Sequence, residues 1–369
     1  ASYPHQPRAA ARVGPQWRLT HPRAPHPAPG LRPLGALCSR PAPSWPMNIS
    51  ITGATGFSGS YLLRALAAKG HSVRALARPG REDAVDRPEG TDVEVFTGDL
   101  TDHESLRGFL RDAHYLLHLA SAHDHFPEEH MQRVNVAGTE ILIEEAQNTA
   151  AEDFQFIVVS SAVIGMPVYS YYRDSKRVQE KIIRGSGLKW ASFRPTLVYG
   201  IGDMRHTAPL LRKCGAARGT YWIKHEGISK LNPVHVEDLV DAIMRFFNYD
   251  RAKEVDCIYE IAGPAGIPFN EFVDLTIAAT GGGVKRRNIR RKWVERGIFL
   301  KGLFVDVTRE RRGAGYFSLH HEHDIRAAVV ELGWQPRPFR EGIAEVAAGD
   351  WWREDSGAGK ATRLGTGGV

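Results

Sequence analysis

The chain has 369 residues, of which 42% are hydrophobic and 24% charged, so it can bury a large core. No run of about 18 uncharged apolar residues is present, so we expect no membrane-spanning helix. The formal net charge of +6 comes from residues 1–46, which hold six arginines and no acidic residue. The rest of the chain has 42 basic and 42 acidic residues. This balance gives no reason to expect nucleic-acid binding.

The cysteine content indicates a reducing environment. The three cysteines are Cys38, Cys214 and Cys257. Their spacing fits neither a metal site nor a disulfide framework. We therefore expect a cytoplasmic protein with reduced thiols.

The ends of the chain differ from its middle. Residues 1–46 contain eleven prolines and little hydrophobic periodicity, which predicts a disordered leader or extension. A strand pattern begins at Met47. We predict a folded region over 47–355 and a flexible tail over 356–369, whose sequence is "SGAGKATRLGTGGV".

Short apolar runs alternate with helical segments after Met47. The predicted strands are "NISIT", "HSVRALA", "DVEVFTGD", "AHYLLHLA", "FQFIVVSS" and "LKWASFRPTLVYG". Helices are predicted between them, including 59–70, 130–149 and 173–186. This alternation is typical of a parallel sheet covered on both faces. We predict an α/β fold with a Rossmann-type doubly wound parallel sheet, and a smaller C-terminal substrate-binding region contributed mainly by about 200–355.

A glycine-rich segment, "ITGATGFSG", leads from the first predicted strand directly into a helix. Glycine lets backbone N–H groups approach a pyrophosphate, and the helix N-terminus favours the anion. The G-x-x-G-x-x-G spacing is one residue longer at its start than the common dinucleotide fingerprint. The predicted nucleotide contacts in this loop are Gly53, Thr55, Gly56, Phe57, Ser58 and Gly59.

The second predicted strand ends at Arg78, where NAD-selective sites often have an acidic residue for the ribose 2′-hydroxyl. A guanidinium suits a 2′-phosphate, so we predict NADP(H), with NAD(H) as the alternative. A solvated charge or stacking on the adenine would also explain Arg78. Asp99 could accept a hydrogen bond from the adenine amino group or cap a turn. Further nucleotide contacts are predicted at Leu100, Leu119 and Ala120.

Several short motifs occur in a family-specific order. They are "TGATGFSG", "GDL", "HLA", "NVAGT", "VVSSAVIG", "YYRDSK", "FRPTLVYG", "NPVHVEDLVDAI" and "ELGWQPRPFREGIAEV". Over roughly 47–353 the chain resembles the extended short-chain dehydrogenase/reductases, the NAD-dependent epimerase/dehydratase family. Tyr172 and Lys176 match that family's catalytic pair and lie at i and i+4 on one helical face.

The resemblance implies a role for each residue of the reaction site. Tyr172 would exchange the proton, because a nearby ammonium and an oxidised nicotinamide lower the pKa of a phenol. Lys176 would also hold the nicotinamide ribose. Ser161, or Ser160 in another register, would hydrogen-bond the reacting oxygen. Pro195 would lie beside the nicotinamide.

The sequence leaves the substrate open. Arg205 and Asn232 are predicted to line a cleft for a small-molecule substrate, and His235 is predicted to be structural. Hydride transfer at a secondary alcohol or ketone is the first interpretation. A nucleotide-sugar epimerase or dehydratase with retained NAD is the second. The loop of about ten residues between Ser161 and Tyr172 also resembles that of the complex I accessory subunit, a non-catalytic nucleotide-binding protein. A homodimer is common in the family.

Two further patterns are predicted to lie outside the reaction site. The run "KRRNIRRKW" at 285–293 is interpreted first as a solvated face and second as a site for a phosphate, CoA or an anionic lipid headgroup. With "GIFLKGLF" after it, it also suggests a peripheral membrane contact. "SLHHEHD" at 318–324 is interpreted as the start of a helix, and no metal site is predicted.

Overall fold

The computed structural model describes residues 46–167, 170–223, 226–248, 256–301 and 322–353. Residues 1–45 of the predicted leader, the whole predicted tail at 356–369, Tyr169 and the segment 318–321 lie outside the described residues. The strands are β1 (Asn48–Thr52), β2 (Ser72–Ala77), β3 (Val93–Thr97), β4 (Tyr115–His118), β5 (Gln155–Val159), β6 (Lys189–Pro195), β7 (Val198–Tyr199), β8 (Gly219–Ile223), β9 (Lys230–Leu231), β10 (Val234–His235), β11 (Cys257–Ile261), β12 (Ile267–Pro268) and β13 (Val284–Asn288).

The helices cover both faces of the sheet and the C-terminal region. They are α1 (Phe57–Ala68), α2 (Glu128–Met131), α3 (Gly138–Thr149), α4 (Tyr171–Gly185), α5 (Thr207–Cys214), α6 (Val236–Asn248), α7 (Phe269–Thr280), α8 (Arg291–Lys301), α9 (Arg326–Leu332) and α10 (Phe339–Ala348). A π-helical segment, Gln132–Ala137, joins α2 to α3. Short 3₁₀ turns occur at Glu82–Ala84, Glu104–Leu106 and Ala162–Gly165.

Seven parallel strands form the central sheet in the order β3-β2-β1-β4-β5-β6-β11. Ile49 of β1 lies opposite Val73 of β2 on one side and Tyr115 of β4 on the other. The chain winds outward in both directions from the β1–β4 pair, which creates a crevice at the carboxyl ends of the strands. The predicted doubly wound α/β sheet is confirmed, and β11 adds a seventh strand that the sequence pattern did not indicate.

Two apolar layers hold helices against the sheet. One face packs against α1 and α6, whose side chains at Leu62, Leu66, Ile243 and Phe247 are buried. The other face packs against α3 and α4, with Leu142 and Ile183 among its buried residues. Burial of apolar side chains on both faces explains why the strand sequences are almost continuously hydrophobic.

A third apolar cluster lies in the C-terminal region. It joins α5, α7 and α10 through buried side chains such as Leu211, Val273 and Ile343. Strands β8 and β13 pair in parallel beside it, outside the central sheet. Not all of the C-terminal half belongs to this region, because β11 and α6 pack with the central sheet.

Candidate active site

A cleft of about 760 Å³ opens where the strands of the central sheet end. Its wall includes the loops that follow β1, β2, β3, β4, β5 and β6. Fifteen of the predicted site residues line it: Gly53, Thr55, Gly56, Phe57, Ser58, Gly59, Arg78, Asp99, Leu100, Leu119, Ala120, Ser161, Tyr172, Pro195 and Arg205. Lys176 and Asn232 are not part of the wall.

The glycine-rich loop between β1 and α1 has no room for side chains at two positions. Gly53 has a φ of +76°, and a Cβ there would lie 2.7 Å from the backbone N of Ala120. A Cβ on Gly59 would lie 2.1 Å from the carbonyl oxygen of Gly53. The turn therefore brings the N-terminus of α1 against the cleft with its backbone exposed. This cradle fits the pyrophosphate of a dinucleotide.

Three arginines and one histidine surround the end of the cleft beyond β2 and β3. Arg78, Arg81, His130 and Arg133 all line it. The charges of Arg133 and Arg78 act on His130, whose pKa is lowered mainly by burial. In the described part of the chain, neither Arg78 nor Arg81 forms an ion pair with a carboxylate. The region is suited to an anionic group.

Asp99 lies in the same part of the cleft and stabilises a turn. Its Oδ1 accepts hydrogen bonds from the backbone N–H and the hydroxyl of Thr101, at 2.8 and 2.7 Å. The turn-capping alternative therefore has direct structural support. Asp99 still lines the wall, so it also remains a predicted nucleotide contact.

Tyr172 is positioned by the first turn of α4. Ser170 caps the helix by accepting from Arg173 N–H at 3.0 Å, and Asp124 Oδ1 accepts from Tyr172 N–H at 3.2 Å. The hydroxyls of Ser161 and Ser121 lie beside the phenol. Burial raises the pKa of Tyr172 to about 12, although both hydroxyls act to lower it. The protein alone thus keeps this phenol protonated at neutral pH.

Lys176 is buried on the inner side of α4. Its Nζ donates to the carbonyl oxygen of Val159 at 3.2 Å and to Gln179 Oε1 at 2.5 Å. Burial lowers the pKa of Lys176 to about 8, and the carboxylate of Glu180 opposes this shift. Val159 itself lines the cleft, so the ammonium lies behind the cleft wall rather than in it.

Both candidate serines follow β5 and line the cleft. Ser161 lies beside the Tyr172 phenol, and its hydroxyl accepts weakly from Val163 N–H at 3.4 Å. Ser160 is 4% exposed and contributes to the environment of Glu180. Proximity to the phenol therefore favours Ser161, the residue chosen from the sequence.

Asn135 connects the loop after β4 to α4. Its amide donates to Ala122 O and to Ser175 Oγ, both at 2.9 Å, and its Oδ1 accepts from Ala122 N–H at 2.7 Å. Ser121 Oγ donates to the same oxygen at 3.2 Å. Asn135 is fully buried. Its hydrogen bonds join the loop after β4 to α4 close to Tyr172.

The loop after β4 contributes residues that the sequence analysis did not select. The ring of His123 stacks on that of Tyr172, with centroids 4.8 Å apart. His125 Nδ1 lies 2.7 Å from Arg205 Nη2. The loop "SAHDHFPEEH" follows a predicted parallel strand, whose carboxyl end lies at the crevice. This position is the sequence signal that could have identified the two histidines.

The structure does not bring Asn232 to the cleft. It is 5% exposed and donates to the carbonyl oxygen of Gly263 at 3.2 Å. Asn232 lies in the turn between β9 and β10, and its amide contacts the turn after β11 and does not line the cleft. His235 is also buried, at 3% exposure.

The histidine-rich segment contacts distant parts of the chain through its side chains. His323 Nδ1 lies 3.2 Å from Glu260, and Lys230 pairs with Glu322 at 2.7 Å. Across the described ranges, no group of three or more His, Cys, Asp or Glu side chains is arranged to hold a metal ion. No described helix has both the length and the apolar character needed to span a bilayer.

Comparisons with known proteins agree with this geometry. The chain is 34% identical to ceramide reductase of Caulobacter vibrioides over 198 residues, 54% of this chain and 60% of that protein. It is 26% identical to UDP-glucose 4-epimerase of Erwinia amylovora over 292 residues, 64% of this chain and 84% of that protein. The chain thus spans less than two thirds of the reductase.

A solved structure supports the fold. The crystal structure of gox2253 superposes with a TM-score of 0.67 at 24% identity, covering 83% of this chain and 97% of that one. The family model "NAD dependent epimerase/dehydratase family" matches residues 49–262, more than half of the sequence. Its matched range contains the glycine-rich loop, the cleft and the Tyr172–Lys176 pair. The chain therefore belongs to the NAD-dependent epimerase/dehydratase family of extended short-chain dehydrogenases/reductases, whose members are NAD(P)-dependent enzymes.

Proposed function

We propose that this protein is an NADP(H)-dependent ketoreductase that interconverts a ketone and a secondary alcohol with Tyr172 as general acid/base. The observation that carries the proposal is the position of Tyr172, which lines the same cleft as Ser161 and the glycine-rich loop. A dinucleotide in that loop would supply or accept the hydride. The protein supplies the proton and holds the reacting oxygen.

The protonation state of the phenol favours the reducing direction. A group with a pKa of about 12 stays protonated at neutral pH, so Tyr172 is ready to donate its proton to a carbonyl oxygen. The hydroxyl of Ser161 would donate a second hydrogen bond to the same oxygen. In the reverse direction Tyr172 must act as a base, which requires positive charge nearby to lower its pKa. The buried ammonium of Lys176 behind the wall is the protein's contribution to that charge.

The cationic end of the cleft supports NADP(H) rather than NAD(H). Arg78 and Arg81 follow β2, where the ribose of the adenosine half would lie, and Arg133 faces them across the cleft wall. No carboxylate in the described structure neutralises Arg78. A 2′-phosphate matches this charge, and a plain 2′-hydroxyl does not use it.

A lipophilic carbonyl compound is the substrate class that the outer cleft supports. Phe126, Leu197 and Met204 line the cleft while remaining about 40% exposed, so apolar surface faces the substrate side. Such surface is stabilised when an apolar molecule covers it. The similarity to a protein named ceramide reductase points in the same direction.

Nucleotide-sugar epimerisation with retained NAD is the second candidate, and Arg205 is the observation that favours it. Arg205 lines the cleft near His125 and forms no ion pair with a described carboxylate. A guanidinium in this position would also suit a substrate diphosphate. The similarity to a UDP-glucose 4-epimerase agrees with this alternative.

One experiment separates the candidates. The purified chain is denatured, and any released nucleotide is identified and counted by mass spectrometry. The folded chain is then assayed for NADPH oxidation with lipophilic ketones. We expect little retained nucleotide, reversible NADPH binding, and a fall in kcat of about 10²- to 10⁴-fold for Tyr172→Phe.

The neighbouring tyrosine provides a matched control. Tyr171 lies on the same helix outside the cleft wall, so Tyr171→Phe should keep its activity. Near-stoichiometric retained NAD together with epimerisation of a nucleotide sugar would replace the reductase proposal with the second candidate. Bound nucleotide without turnover in either assay, for the native chain as for Tyr172→Phe, would favour a non-catalytic assembly subunit.

A further inference from the structure

Helix α8 (Arg291–Lys301) lies on the protein surface with an apolar face toward solvent. None of its eleven residues is buried. Trp293, Phe299 and Leu300 are 56%, 61% and 51% exposed, whereas Val294 and Ile298 are the half-buried residues that face the protein. A helix that only covered a core would show the opposite arrangement. The exposed apolar side chains therefore need another explanation.

The outward side chains of α8 form one continuous arc. At about 100° per residue, Val294 and Ile298 point to one side, and the opposite arc spans roughly 120°. That arc, called here the α8 surface, consists of Lys292, Trp293, Arg296, Phe299 and Leu300. Around the arc the order is Phe299, Lys292, Arg296, Leu300 and Trp293, so the two cations lie between apolar side chains.

The cations of the α8 surface are not neutralised by the described structure. Lys292 and Arg296 lie over the Trp293 ring, 5.7 and 5.9 Å from its centroid, and neither forms an ion pair with a described carboxylate. The one acidic residue of the helix, Glu295, pairs with Arg291 at 2.6 Å. The α8 surface therefore presents net positive charge beside exposed aromatic rings.

The neighbouring two-stranded sheet also carries an exposed tryptophan beside an arginine. Trp222 of β8 is 54% exposed and lies in register with Arg287 of β13. The adjacent Arg286 turns the other way and pairs with Asp274 of α7 at 2.7 Å. Residues directly paired across strands share a face, so Trp222 and Arg287 both point away from α7. A hydrogen bond from Ile289 N–H to Ile223 O, at 2.8 Å, holds this sheet next to the start of α8.

We propose that the α8 surface binds the interface of an anionic lipid bilayer, with the helix lying in the membrane plane. Tryptophan is favoured at the level of lipid headgroups, and phenylalanine and leucine enter the acyl boundary. Lysine and arginine beside them attract anionic headgroups. An acidic protein would satisfy the cations, but a bilayer interface also accommodates the exposed apolar side chains on either side of them. The contact does not depend on the proposed reaction.

Vesicle binding tests the proposal on the full chain. Sedimentation with phosphatidylcholine vesicles containing about one third phosphatidylglycerol should capture the protein at low salt, with less captured near 0.5 M salt. Pure phosphatidylcholine should capture much less. Because each cation near an anionic surface contributes roughly fivefold to binding, Lys292→Glu/Arg296→Glu should weaken it at least about 25-fold.

A matched charge reversal elsewhere separates a specific surface from general attraction. Lys69 and Lys181 are exposed lysines away from α8, so Lys69→Glu/Lys181→Glu changes the net charge by the same amount. It should retain most of the binding. A second variant, Trp293→Ala/Phe299→Ala, removes the apolar contribution and should also weaken binding, while thermal unfolding shows that each variant is folded.

Brominated lipids test the location directly. They quench tryptophan that enters the bilayer, so the quenched fraction should fall in Trp293→Phe. Absence of binding to anionic vesicles at low salt would overturn the proposal and leave an acidic protein as the alternative partner. Equal loss in both charge-reversal variants, or unchanged quenching in Trp293→Phe, would overturn it as well.

Discussion

The imidazole of His123 stacks on the phenol of Tyr172, with the ring centroids 4.8 Å apart and the planes inclined by 29°. The two residues come from different elements, the loop after β4 and the first turn of α4. The stack limits rotation of the phenol, whose pKa the nearby hydroxyls of Ser161 and Ser121 act to lower. His123 is thus placed to orient the proposed acid/base without touching the reacting atoms.

We expect His123→Ala to reduce kcat by about 10- to 100-fold, because a phenol free to rotate spends less time aligned with the substrate. His123→Phe preserves a stacked ring and should retain most of kcat. NADPH affinity should change little in either variant, since His123 lies away from the glycine-rich loop. Steady-state kinetics and NADPH titration measure both quantities. Equal activity of the Ala and Phe variants would show that the stack does not position Tyr172.

The lowered pKa of His123 also predicts that the stability of the protein depends on pH. Burial, together with the charge of Arg205, lowers the pKa of His123 from 6.5 to about 4. Between these values the unfolded chain holds one proton more at this position, so the free energy of unfolding falls as the pH falls from about 6.5 to 4. The contribution approaches about 1.4 kcal/mol per pH unit. Urea unfolding at several pH values should show a shallower slope for His123→Phe; parallel curves would contradict the prediction.

Arg78 is predicted to select the cofactor. Arg78→Asp should weaken NADPH binding at least about 10-fold, because a charge-assisted hydrogen bond to the 2′-phosphate is lost and replaced by repulsion. NADH binding should be affected much less. Arg87→Asp is the matched control, since Arg87 is exposed nearby but does not line the cleft. Dissociation constants from fluorescence titration decide the question, and parallel losses for both nucleotides in Arg78→Asp would remove the 2′-phosphate assignment.

Gly59 is predicted to be required for the nucleotide-binding turn. Gly59→Ala puts a Cβ 2.1 Å from the carbonyl oxygen of Gly53, so the backbone of the loop must move. We expect a loss of roughly 1–3 kcal/mol in the free energy of unfolding and much weaker nucleotide binding. Gly185→Ala, where an added Cβ meets no atom within 4 Å, should be neutral or stabilising by roughly 0.5–1 kcal/mol. Normal nucleotide affinity in Gly59→Ala would contradict this account.

Local sequence patterns were enough to predict most of the fold and the main candidate site residues. The first six strands, the glycine-rich loop and the Tyr172–Lys176 spacing were evident because each depends on a few neighbouring residues and a period of 2 or 3.6. The edge strand β11 was not, since its assignment to the sheet depends on a pairing with β6 that is distant in the sequence.

The tertiary structure decided which of these candidates meet. Tyr172 and Lys176 share a helical face in the sequence, yet the phenol reaches the cleft while the ammonium is held behind its wall by Gln179 and the carbonyl of Val159. Asn232 does not line the cleft, and its amide is hydrogen-bonded to Gly263 in the turn after β11. His123 was missed because ring stacking between a loop and a helix leaves no periodic signal. The sequence by itself determined the elements and their chemistry; burial and long-range packing decided orientation, protonation and access, because these depend on neighbours that only folding brings together.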